Sequence, residues 1–165
     1  MGDPTIDLFS IRDLDSQLSN REAAAVQDWL VVGKAFYLFR DFPGTRNRTV
    51  LGGLWGGRNS LIGYDLAKQL LNQLLEKAVE KKDSIWALDR NILGDVVFTP
   101  HVTKFVAYDS YHCEYWNKSG NVRPYPTQRQ GNDFLGSQVL WKLNKTPPIC
   151  PVECRPTYGK DWDRC

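Results

Sequence analysis

Asp13 and Asp15, two carboxylates one residue apart, are the pair in this sequence best suited to chemistry. They follow residues 7–12 (DLFSIR), a short and mostly apolar stretch that reads as a strand with Leu8, Phe9 and Ile11 available for burial. On an extended turn, two such carboxylates converge on one hard divalent cation, Mn²⁺ or Mg²⁺, which prefers oxygen ligands. A cation held there can bridge two phosphates and stabilise a departing diphosphate as a Lewis acid. The carboxyl end of a strand is also where α/β sheets place their ligand crevices. The competing reading is ordinary turn chemistry, Asp-x-Asp-Ser ahead of a helix with Ser19 as its cap.

A second candidate is the run 51–57 (LGGLWGG), with four glycines in seven residues. Glycine permits close backbone approach, here at Gly56 and Gly57 among others, and Trp55 offers a flat face for a sugar ring. Arg58 follows at once and can pair with phosphate. A tight structural loop around a buried tryptophan accounts for the same residues. A third candidate is Asp89, one helical turn beyond Trp86, where it can project into a crevice or sit as a solvated carboxylate beside Arg90.

The elements that must position these groups alternate in type. Ser19-Asn20-Arg21-Glu22 has the form of a capping box, in which the serine caps one orphan amide and the glutamate reaches back to another. The helix it opens runs to about Val32, with Ala23, Val26, Trp29 and Leu30 at helical spacing and Gly33 as its stop. Residues 35–39 (AFYLF) and 104–108 (KFVAY) are apolar enough to be interior strands. Between them, the spacing predicts a long helix over 60–82, with Leu66, Leu70, Leu71, Leu74, Leu75, Ala78 and Val79 on one wide face. A shorter helix after Asp83 carries Ile85, Trp86, Leu88 and Ile92 before Gly94. This alternation predicts an α/β fold with a mixed or partly parallel sheet flanked by helices. Only three or four strands can be read, thin for a complete doubly wound domain. The expected organisation is an α/β module over 1–143, truncated at its N-terminus, and a Cys/Pro-rich tail over 144–165.

Several unusual clusters lie in order along nearly the whole chain. They are residues 10–22 (SIRDLDSQLSNRE), Ala25-Val26, Trp29-Leu30, Phe36, Arg40-Asp41, residues 51–57, Asp89, Asp109-Ser110-Tyr111-His112-Cys113, and Pro124 to Arg129. On these residues the chain resembles the C-terminal part of a glycosyltransferase-like family. The resemblance implies a GT-A-like nucleotide-sugar fold in which Asp13 and Asp15 are the metal-binding carboxylates. It further implies a nucleotide-sugar donor, a carbohydrate or glycoconjugate acceptor, and Arg12 or Arg58 on the diphosphate. Asp89 or Asp109 would then act at the reacting centre, as the base for an acceptor hydroxyl or to orient the donor. The chain departs from the family where Tyr108, Phe42 and Thr45 stand in place of histidines, and at Arg90 in place of glutamine. Loss of a neutral imidazole removes a third metal ligand. The alternative is a secreted, non-catalytic carbohydrate-binding or interaction module.

Bulk properties narrow the class. At 165 residues, 42% hydrophobic and 24% charged, the chain suits a folded domain. A net charge of +2 makes no electrostatic case for nucleic acid. No apolar stretch approaches a bilayer span. Cys113, Cys150, Cys154 and Cys165 form an even set in a Pro-rich tail, which reads as two disulfides with three possible connectivities. Sequons at Asn47, Asn117 and Asn144, the last followed by Pro147, fall in expected loops. Cysteines and sequons together point to the secretory pathway, the Golgi lumen or the extracellular space.

Overall fold

The computed structural model describes residues 1–45, 50–80, 88–114, 120–137 and 146–165. Its centre is a mixed five-stranded sheet in the order β1-β3-β2-β4-β5, built from β1 (Leu8–Arg12), β2 (Phe36–Arg40), β3 (Leu54–Arg58), β4 (Phe105–Asp109) and β5 (Val122–Arg123). The β3 strand is antiparallel to both of its neighbours, whereas β2, β4 and β5 pair in parallel. Four strands therefore point one way and β3 the other. The carboxyl ends of β1, β2 and β4 all emerge along one edge.

Both faces of the sheet are covered. On one, Phe36, Leu38, Trp55, Phe105 and Ala107 pack with Ala67, Leu70 and the Ile92–Phe98 segment. On the other, Tyr37, Phe39, Val106 and Tyr108 pack with Ala25 and Trp29. Alternate residues of β2 serve opposite faces, so an unbroken apolar run is what this position requires.

Helix α1 (Asn20–Val32) begins and ends as its sequence dictates. The Ser19 hydroxyl accepts the Glu22 amide, and Gly33 closes the helix at φ 72°. Only half of the expected capping box forms. The Glu22 carboxylate is buried and lies 3.3 Å from the Arg12 guanidinium, so it turns to the neighbouring strand and leaves the cap. The buried stripe of α1 runs through Arg21, Glu22, Ala25 and Trp29, while Ala23 and Leu30 are exposed.

The long helix is interrupted at Gly63 (φ 85°), giving α2 (Asn59–Ile62) and α3 (Tyr64–Glu80). Ala67 and Leu70 are buried, but Leu71, Leu75 and Val79 are exposed, so the covered face is narrower than the apolar pattern. Helix α4 (Leu88–Leu93) runs on into a π-helical turn, Gly94–Phe98, which buries Val96, Val97 and Phe98.

The run 51–57 behaves differently from a loop, because Leu54–Arg58 is the second strand of the sheet, hydrogen-bonded on both sides. Gly56 and Gly57 are needed by the core. A Cβ on Gly56 would lie 2.4 Å from the Phe9 carbonyl and 2.5 Å from the Tyr37 ring; one on Gly57 would meet the rings of Phe9 and Phe36 at 2.7 and 2.9 Å. The tail is cross-linked by two disulfides, Cys113–Cys154 and Cys150–Cys165. The first fastens the tail to the segment leaving β4. Such bonds are compatible with an oxidising, extracellular or secretory location. No helix among the described residues is long and apolar enough to cross a membrane.

Candidate functional site

The turn leaving β1 carries Asp13 and Asp15 onto the edge where β2 and β4 also end. Both residues are exposed, and among the described residues neither carboxylate takes a hydrogen bond or ion pair; the Ser16 amide is satisfied by the Asp13 backbone carbonyl. Local capping therefore does not consume them. Arg12 pairs with Leu54 across β1 and β3, which sets the next residues, Asp13 and Gly53, against each other. The Asp13 carboxylate lies over the Gly53 Cα, where a Cβ would come within 2.4–2.6 Å of its three terminal atoms. Carboxylate oxygens are the donor type that Mg²⁺ and Mn²⁺ take, one or two from the protein with water and phosphate completing the shell.

Cys113, Glu114 and Cys154 are the only described set of three such side chains close enough to share an ion. Its two sulfurs are joined in a disulfide, and the thiolate is the metal ligand, so this set offers one carboxylate only.

Arg12 stays beside the turn, paired with Glu22 and donating from NH2 to the Gln17 carbonyl, while its Nε and NH1 have no hydrogen-bond partner. Burial raises the Glu22 pKa, and the Arg12 charge opposes the shift. Arg58 is elsewhere. It pairs with Leu8 at the opposite end of β1, about 13 Å along the strand from Arg12, and bonds Asp7 at 3.0 Å and Ser60 at 3.1 Å. The two arginines cannot share one diphosphate. Trp55 is 5% exposed, with its ring edge-on to Phe9 and Phe98 and its Nε1 donating to the Gly52 carbonyl. It presents no open face to a sugar.

Asp109 is fully buried and fully used. One oxygen accepts the Arg40 Nε at 2.6 Å, and the other accepts the amides of Tyr111 and His112 at 2.9 and 2.8 Å. A carboxylate so bonded orders the turn after β4, and its complete burial keeps it from an acceptor hydroxyl. Asp89 falls in α4, and its side chain is outside the described residues, as are Asn47 and Asn117. Tyr108, at one of the positions read as replacing a histidine, donates to Asp28 on α1 at 2.6 Å; burial pushes its phenol pKa far upward, with Asp28 adding to the effect.

Beside the β1 turn lies a cleft of about 510 Å³, with Gln17, Ser19 and Arg21 on one wall and Thr127, Arg129 and Phe134 on the other. Behind it is a buried polar cluster whose hub is Asp41, completely enclosed at the end of β2. Its carboxylate accepts Arg21 NH2 at 3.2 Å, Ser110 Oγ at 2.5 Å, Arg129 NH1 and NH2 at 2.7 and 2.5 Å, and the Leu135 amide at 3.0 Å. Arg21 stacks on the Tyr125 ring at 4.0 Å and also donates to the Thr127 carbonyl. Burial lowers the Arg21 pKa, opposed by Asp41, and raises that of Tyr125 strongly. Sequence reasoning gave these residues no role. Arg21, Arg40-Asp41, Ser110 and Arg129 do lie within the residue clusters singled out along the sequence.

The acidic turn and the cleft both lie at the carboxyl edge of a mixed α/β sheet, the edge at which open α/β sheets place ligand crevices. No family model, curated protein or solved structure matches the chain.

Proposed function

We propose that this chain is a glycosyltransferase-like module of GT-A type, taking a nucleotide-sugar donor through a divalent cation at Asp13 and Asp15. The observation that carries the reading is the pair of solvent-facing carboxylates, unengaged by the protein, where the β1 strand exits at the sheet edge. Mn²⁺ or Mg²⁺ bound there would supply Lewis-acid stabilisation of diphosphate charge. Arg12, beside the turn and held through its Nε by Glu22, is the side chain suited to orient a phosphate. Glu22 fixes that guanidinium in place from below. The adjoining cleft is the natural seat for a carbohydrate or glycoconjugate acceptor. The two disulfides, with sequons at Asn47 and Asn117, support a protein maturing in the secretory pathway.

One observation favours a second reading, carbohydrate binding without turnover. With Asp109 completely buried and both its oxygens hydrogen-bonded, that residue offers an acceptor hydroxyl no base. On this reading sugars bind with no metal or nucleotide.

Thermal melting with Mn²⁺ and uridine diphosphate separates the two. Saturation at about 100 Kd should stabilise the wild-type protein by about 2.7 kcal/mol, and Asp13→Asn should abolish the gain. A gain that persists in Asp13→Asn removes the cation from this turn. Stabilisation by sugars alone, with none from Mn²⁺ and the nucleotide, selects the binding module.

A further inference from the structure

The polar cluster behind the cleft is not electrically balanced. Arg21 and Arg129 are 7% and 4% exposed, and Asp41 is the one carboxylate that both of them hold. The neighbouring ion pair, Arg40 with Asp109, is internally neutral. Tyr125 is held in its phenol form by burial. Two guanidiniums that cannot lose their protons thus share one negative charge. A charge kept out of water without a counter-charge is strongly unfavourable, and both arginines are among the residues that line the cleft. Asp133 also lines that space, but it is exposed, so water and salt screen it.

Hydrogen-bond capacity is unspent in the same place. Arg21 Nε, Arg129 Nε and Thr127 Oγ1 are buried atoms without a partner, and all three residues line the cleft. Native proteins seldom leave such groups unpaired, and each one calls for an explanation. The guanidinium fork is the side chain that best matches planar or tetrahedral oxyanions. The cleft volume also falls in the range of small-molecule sites, roughly 300–1,000 Å³.

We propose that the Arg21–Arg129–Thr127 cleft is an oxyanion-binding site for an acidic sugar, bearing either a carboxylate or a phosphate. The anion neutralises the surplus charge of the cluster and takes the three unspent donors, while the sugar body lies toward Gln17 and Phe134. This site is separate from the Asp13–Asp15 turn and does not depend on a metal there. Its binding therefore survives if the transferase reading fails.

Calorimetry at low salt with inorganic phosphate, glucose 1-phosphate, glucuronate and neutral glucose tests the proposal on the intact chain. At least one anion should bind, glucose should not, and the preferred anion tells the phosphate source from the carboxylate source. Replacing either arginine endangers folding, so the decisive variant is Thr127→Val. Its hydroxyl has no protein partner, so the melting temperature should hold or rise, while anion affinity falls about tenfold for one lost charge-assisted hydrogen bond. The proposal is overturned if no anion binds at about 10 mM, where even a Kd of about 1 mM would register. Equal binding of glucose, or unchanged affinity in Thr127→Val, overturns it as well.

Discussion

Replacing Asp41 by asparagine tests whether the buried cluster holds the sheet edge together. The substitution keeps size and shape and removes one charge. Asp41 Oδ1 accepts from Arg21, Ser110 and Arg129, and Oδ2 accepts from Arg129 and the Leu135 amide. An asparagine must turn its NH₂ toward one of these sets, so either orientation opposes donor to donor at two or more contacts. It also strands two buried guanidiniums. Breaking a buried pair by neutralising one partner costs about 3–5 kcal/mol, a large part of the roughly 5–15 kcal/mol typical of a domain. For a chain of this length the melting temperature should fall by about 6–20 °C. Urea denaturation followed by far-UV circular dichroism would measure the loss directly, with the slope unchanged. A loss below about 1 kcal/mol, in the range of exposed ion pairs, would mean that water reaches the cluster and that its arginines are not desolvated.

Two further outcomes follow from the same geometry. Gly53→Ala places a Cβ within 2.4–2.6 Å of the exposed Asp13 carboxylate, which can swing away into solvent. Melting in buffer should therefore change by less than about 1 kcal/mol while the stabilisation by Mn²⁺ and nucleotide is lost; retention of that stabilisation would show that Asp13 is not held over Gly53 when it binds. Glu22 has a raised pKa, caused first by burial, so the folded state keeps its proton longer than the unfolded chain does. Its contribution must then weaken as pH climbs through 4.5 and above. Glu22→Gln, which cannot ionise, should gain on the wild type over that interval in paired melting curves, and a constant difference across pH would contradict the burial argument.

Much of the frame is legible in residue order. Ser19 and Gly33 bound α1 because a hydroxyl and a left-handed glycine solve local hydrogen-bond problems that need no distant partner. The β2 and β4 strands announce themselves as apolar runs because both of their faces are covered. The β3 strand does not, since four glycines in seven residues read as a turn. What makes it a strand is the space that Phe9, Phe36 and Tyr37 occupy, and those rings come from two other strands. The break at Gly63 and the bareness of Leu75 and Val79 are likewise questions of what packs where.

The candidate site divides along the same line. Asp13 and Asp15 lie one residue apart in sequence just past a strand end, so their place at the exit of β1 is a local property. Asp41 and Arg129 are 88 residues apart, and Arg21 and Ser110 are 89 apart. Each alone is an ordinary charged or polar residue. Only a sheet that brings the ends of β1, β2 and β4 to one edge removes water from around them, and that loss of water turns scattered charges into a site. The same closure decides the opposite fates of Arg12 and Arg58, placed at opposite ends of the β1–β3 pair by an antiparallel register that no local pattern encodes.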